Sequence, residues 1–139
     1  MRDSSSIFRA FCARSLPKSE WTHQAHLVVC RVALSNRTPR ETIDFLRDAI
    51  RSYNDATGVE NTTSSGYHET LTRYFVGAVA SLGGVDLEEV FAAGRCQTSA
   101  PLSHWSRELL FGPLARAEWV EPDVAPLPWS PEGLLRQSS

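Results

Sequence analysis

The stretch Thr38-Pro39-Arg40-Glu41 and the residues that follow restrict the fold more than any other part of this chain. Thr38 can cap a helix and Pro39 suits its first position. Glu41 completes a Thr-x-x-Glu capping box, in which each side chain satisfies a backbone N–H the helix itself cannot pair. Ile43, Leu46, Ile50 and Tyr53 then recur at three- and four-residue spacing, the period of one helical face, and Gly58 closes the run. The pattern repeats elsewhere. From about Pro17 to Ser35 a second helix carries His23, His26, Leu27, Cys30, Ala33 and Leu34 on one face. A third, from about Tyr67 to Leu82, carries His68, Leu71, Phe75, Val79 and Leu82 and stops at Gly83-Gly84.

Asp86-Leu87-Glu88-Glu89 reads as another capping box, opening a short helix that ends near Gly94. Helices are also expected over 99–110 and 114–119, and the polar stretch 58–66 reads as a loop. No strand-like alternation bounded by turns occurs, and there is no internal repeat. The expected fold is all-α: a compact single-domain bundle of about five helices spanning 1–139. Prolines at 122, 126, 128 and 131 forbid regular structure near the C-terminus, so an extended tail should pack as far as Trp129. Residues 1–7 and 131–139 are expected to fray.

Composition narrows the function classes. With 42% hydrophobic and 22% charged residues in 139, the chain can close one core and shows no sign of disorder. Its 14 basic and 16 acidic side chains give a net charge of −2, which offers nothing to a nucleic acid. No apolar run is long enough to cross a bilayer, and residues 1–6 lack the apolar stretch of a signal peptide. Cys12, Cys30 and Cys96 are odd in number and widely spaced, which suits reduced, mostly buried thiols. The expectation is a cytoplasmic protein with no nucleic-acid or membrane partner, a small-molecule substrate or ligand, and the option of a homodimer.

Three of the four histidines fall in two short segments, Glu20-Trp21-Thr22-His23-Gln24-Ala25-His26 and Tyr67-His68-Glu69-Thr70. Residues three apart on a helix can address one ion. The apolar stripes of two helices, extended backward, run through His23, His26 and His68, so all three imidazoles should face the interior. Each neutral ring has a donor and an acceptor to satisfy. A cation is an economical way to satisfy several at once, since imidazole is the commonest protein metal ligand. The resulting expectation is a transition-metal site of His23, His26 and His68. Glu69 would be the fourth ligand or the base acting on metal-bound water, with Glu20 as its alternative. Imidazole-rich ligation does not choose among zinc, iron, copper, nickel and manganese.

Around that set, Tyr67 and Asn54 can orient a substrate or support a ligand, and Arg107 or Arg116 can hold a carboxylate bidentately. Ion pairs of these arginines with Glu108, Glu118 or Asp123 are the simpler expectation. His104 is a candidate fourth ligand. Trp21, Trp105 and Trp119 read as core anchors.

Sharper motifs fail. Thr72 stands where a zinc-protease helix needs its second histidine, and Glu20-x-x-His23 has no second copy to build a di-iron centre. Nucleophile elbows and phosphate- or dinucleotide-binding glycine loops are absent.

Leu16 to Leu27, Gly66 to Thr72, Ser106-Arg107, Ala115-Arg116, Trp119-Val120 and Pro122-Asp123 together resemble a family of small bacterial proteins of uncharacterised function. The resemblance covers nearly all of the chain after Phe8. It implies that the two histidine segments act as a unit, and it implies no particular reaction. Two functions are therefore carried forward. One is a small metal-dependent enzyme acting on a small molecule. The other is a non-catalytic helical module that binds a ligand or partner, its histidines serving as buried polar residues.

Overall fold

A computed structural model describes residues 3–130. Among them every regular element is helical: α1 (Ser4–Cys12), α2 (His23–Leu34), α3 (Pro39–Ala56), α4 (Glu69–Ala80), α5 (Leu87–Ala92), α6 (Arg107–Leu110) and α7 (Pro113–Ala117), with 3-10 turns at Lys18–Glu20, Gly94–Cys96 and Ala100–Ser103. None of these helices is long and apolar enough to cross a membrane. The core is continuous. α2 packs against α1, α3, α4 and α5, and α4 reaches from α2 and α3 across to α7. Val29, Ala33, Tyr74, Val76, Ala78 and Trp105 are among the residues that fill the space between them.

α3 starts as its capping box dictates, with both reciprocal bonds formed: the Glu41 amide donates to Thr38 Oγ1 at 3.0 Å and the Thr38 amide donates to Glu41 Oε1 at 2.9 Å. Asp86 caps α5 in the expected way, accepting from the Glu89 amide at 3.0 Å.

Four boundaries differ from the sequence reading. The segment 1–7, expected to fray, supplies Ser4–Ile7 to α1, because Asp3 caps it by accepting from the Ser6 amide at 2.7 Å. Residues 1 and 2, and the expected fraying of 131–139, lie outside the described residues. α2 opens at His23 instead of near Pro17. The chain makes a 3-10 turn after Pro17, leaves it at Trp21, and restarts under a Thr22 cap whose hydroxyl accepts from the Ala25 amide. α4 opens at Glu69, with His68 outside it as the cap. The expected helix over 99–110 is broken at His104 to Ser106, where Ser106 starts α6 anew.

The tail does pack as far as Trp129. Its indole lies over Gly77 of α4, where a Cβ would overlap the ring, and meets Tyr74 with centroids 5.2 Å apart. A residue with no side chain at that one position is what lets the indole approach the helix backbone. Cys30 and Cys96 are buried free thiols, and Cys12 is an exposed one.

Candidate functional site

The first turn of α2, the start of α4 and the 98–111 segment enclose a cavity of about 440 Å³. Leu27, Leu46, Ile50, Leu71, Phe75 and Leu110 supply much of its apolar wall. His23, His26, His68, Tyr67, Thr72 and Thr98 supply its polar groups. Phe111, 52% exposed, borders the opening. The three histidines singled out from the sequence thus share one cavity, although two of them lie more than 40 residues from the third in the chain. What differs among them is how their ring nitrogens are occupied.

His68 is fully committed. As the cap of α4 its Nδ1 accepts the Leu71 amide at 3.1 Å, and its Nε2–H donates to the Leu110 carbonyl at 2.7 Å. An acceptor on one nitrogen and a donor on the other define a single neutral tautomer. Burial lowers its pKa, which favours that neutral form.

His23 and His26 each make one hydrogen bond, to a backbone carbonyl. The Cys96 carbonyl accepts from His23 Nε2 at 2.7 Å and the Thr22 carbonyl from His26 Nδ1 at 2.7 Å. A carbonyl has no hydrogen to give, so these two ring nitrogens carry the protons. In the neutral rings His23 Nδ1 and His26 Nε2 are then lone-pair acceptors, and neither has a hydrogen-bond partner among the described residues. Aromatic contacts fix both rings. His26 stacks on Trp21 at 3.7 Å between centroids, Trp21 stacks in turn on Phe11 at 4.4 Å, and His23 meets Phe75 edge-on at 5.1 Å.

The His26 side chain is solvent-accessible and yet lies deep among protein atoms, as befits a residue on a cavity wall. Its enclosure dominates. Burial pulls its pKa down to about 4 against the opposing pull of the Thr22 carbonyl, with His23 adding to the fall.

Glu69 lies elsewhere and does something else. Its Oε1 accepts from Arg47 Nε at 2.9 Å and from the Tyr67 hydroxyl at 2.8 Å. Its Oε2 accepts from Arg47 Nη2 and Arg73 Nε, both at 2.7 Å. Four donors on one carboxylate use essentially all of its accepting capacity. Burial by itself raises its pKa, but the bonds from Arg47, Tyr67 and Arg73 overcome that and hold it at about 2. A carboxyl so acidic is a poor proton acceptor, and it is absent from the cavity lining.

The expected ligand set of His23, His26, His68 and Glu69 is therefore not assembled. Among the described residues no group of three or more His, Cys, Asp or Glu side chains is placed to hold a metal ion. To ligate, His68 would have to release the Leu71 amide or the Leu110 carbonyl, and Glu69 would have to release an arginine.

The remaining candidates have structural partners. Tyr67 lines the cavity, but its hydroxyl is given to Glu69. Asn54 donates to Asn61 Oδ1 at 3.0 Å, and the same oxygen accepts the Tyr67 amide at 3.0 Å, so Asn54 positions Tyr67 indirectly. Arg116 Nη1 donates to the Gly66 carbonyl at 2.8 Å instead of pairing with Glu118. Gly66 itself has φ +80° and no room for a Cβ beside Glu60 and Asn61. Arg107 is exposed at the start of α6 and outside the cavity lining, so it is not placed to hold a substrate there. Asp123 accepts from the amide and hydroxyl of Ser106, both at 2.7 Å. His104 ties down the tail, its Nδ1–H donating to the Ala125 carbonyl at 3.1 Å. Glu20 is exposed and does not line the cavity. Trp105 is fully buried as a core anchor, while Trp21 is part of the cavity wall.

Sequence reasoning missed Arg47 and Arg73. Arg73 lies four residues after Glu69 on one helix and was readable as an i,i+4 pair. Arg47 comes from α3 and had no local signal.

Comparison with protein-family models, with curated proteins and with solved structures finds no match to this chain.

Proposed function

We propose that this chain is a helical ligand-binding module that takes a small, largely apolar molecule into the cavity beside α2 and α4. The observation that carries the reading is the combination of an apolar cavity of about 440 Å³ with two imidazoles whose second nitrogens have no partner among the described residues. Ligand sites are typically concave and mostly apolar, with a few placed polar groups that fix orientation. The side chain best suited on paper to be a base, Glu69, is withdrawn into an ion cluster, which favours binding over the metal-dependent catalysis also considered from the sequence.

A screen of small neutral aromatic fragments by amide NMR tests the proposal. Fragments should perturb the amides at the start of α2 and around 98–102 and 110–111, and Leu71→Trp, which fills the cavity, should abolish those shifts in a protein that stays folded. Fragments that perturb only other surfaces, or no surface, would overturn it.

A further inference from the structure

The hydrogen-bond directions in the cavity wall specify what kind of polar group a ligand should bring, an inference that rests on the binding reading above. His23 and His26 are each bonded to a backbone carbonyl and not to a carboxylate, and at His26 burial outweighs the pull of the Thr22 carbonyl and keeps the ring neutral. Each ring's one proton is already spent outward on that carbonyl. The unpartnered nitrogens, His23 Nδ1 and His26 Nε2, are therefore acceptors. His68 cannot add a donor, because both of its nitrogens are used.

The cationic side chains nearby are engaged with protein acceptors, and the cavity's own uncommitted side-chain donors among the described residues are the neutral Thr98 hydroxyl and Trp21 indole N–H. Arg47 and Arg73 serve Glu69, Arg116 serves the Gly66 carbonyl, and the Tyr67 hydroxyl is given to Glu69. No arginine or lysine is among the residues that line the cavity. Two helices do begin here, and a helix N-terminus attracts negative charge. Each, however, already has a capping side chain, Thr22 on the Ala25 amide and His68 on the Leu71 amide, and Glu69 puts a negative charge in the first turn of α4.

We infer that the cavity selects neutral, mostly apolar molecules that carry a hydrogen-bond donor, such as a phenol or an alcohol, and discriminates against carboxylates. The donor meets the bare nitrogen of His26 first. That ring is open to the cavity and clamped between the Thr22 carbonyl and the Trp21 face, so its lone pair is held in one direction. His23, fixed against Phe75, offers a second acceptor from the same helical turn.

Three probes of one shape separate the possibilities: 2-naphthol, which can donate; 2-methoxynaphthalene, which can only accept; and 2-naphthoate, which is an anion at pH 7.5. Their affinities for the intact chain are measured by calorimetry. Naphthol should bind roughly 3- to 10-fold tighter than the methoxy compound, the range a single net hydrogen bond supplies, with naphthoate the weakest. In His26→Phe, which keeps a flat ring against Trp21, the naphthol advantage should shrink toward parity while the methoxy compound still binds. Equal affinity for naphthol and the methoxy compound in the unaltered chain, or tightest binding of naphthoate, would overturn this inference and leave the pocket reading standing. If none of the three binds, the pocket reading fails and this inference fails with it.

Discussion

His68 and Glu69 are neighbours in the chain, yet the region each belongs to obeys a different rule. On the Glu69 side the carboxylate is fully matched by two guanidinium groups and a phenol, with no accepting position spare. On the cavity side His23 and His26 are held as firmly, by carbonyls and aromatic faces, but each keeps one nitrogen unmatched. His68 stands on the cavity wall and yet is matched as completely as Glu69. Residue type and proximity to a cavity do not by themselves make a functional group. A side chain can act on a ligand only with valence that the fold has left unused.

The largest effect should come from the matched side. Glu69→Ala removes the partner of two arginines and of the Tyr67 hydroxyl, and should cost on the order of 3 kcal/mol in urea unfolding. Binding of cavity probes by the folded fraction should be little changed. A cost below about 1 kcal/mol, or a selective loss of binding with stability intact, would break the division between the two regions.

Lowering the pH should separate the regions in order. His26 has a folded-state pKa near 4 against an ordinary 6.5. The unfolded chain therefore binds its proton first, and its contribution is complete above about 6.5 and lost as pH falls toward 4. His68, also lowered, acts in the same direction. Glu69, at about 2 against an ordinary 4.5, contributes fully above about 4.5 and loses its contribution as pH falls toward 2. That difference corresponds to roughly 3 kcal/mol. Unfolding free energies measured from pH 8 to pH 3 should fall first through the histidine window and then through the carboxylate one. Stability that rises between pH 6.5 and 4 would contradict the neutral, enclosed histidines.

His68→Ala comes next. It leaves the Leu71 amide without its cap and the Leu110 carbonyl without its donor, for an expected loss of about 1–2 kcal/mol by denaturant titration. The smallest effect on stability belongs to His26→Phe. The Thr22 carbonyl still accepts the His26 amide at 3.0 Å and the stack on Trp21 survives, so a change under about 1 kcal/mol is expected. A His26 variant costing more than the His68 variant would reverse the assignment of which histidine is structural.

Much of this was readable before the fold. The capping box at Thr38, the stripe Ile43, Leu46, Ile50 and Tyr53, and the absence of alternating runs led to an all-helical chain, because those signals are local. The convergence of His23, His26 and His68 was readable too, since two apolar stripes extended backward pass through them. What local pattern could not carry was the partner of each ring. The carbonyls of Cys96 and Leu110 lie 73 and 42 residues from the imidazoles they accept from, and a carbonyl leaves no mark in sequence. Arg47 reaches Glu69 across 22 residues and a change of helix. The metal expectation treated three interior histidines as equally unsatisfied, and only the long-range partners distinguish them. α1 was missed because Asp3-Ser4-Ser5-Ser6 reads as a polar terminus, although Asp3 is itself a cap.

The most direct test of this division is a long-range ¹H–¹⁵N spectrum of the imidazole rings at pH 7, in the presence and absence of zinc. The expected spectrum has His68 protonated on Nε2 with a hydrogen-bonded Nδ1, His23 protonated on Nε2 with Nδ1 bare, and His26 protonated on Nδ1 with Nε2 bare. His68 should keep its resonances when zinc is added. A His68 that shifts with His23 and His26 on adding one equivalent of zinc, or a His26 carrying protons on both nitrogens at pH 7, would contradict it.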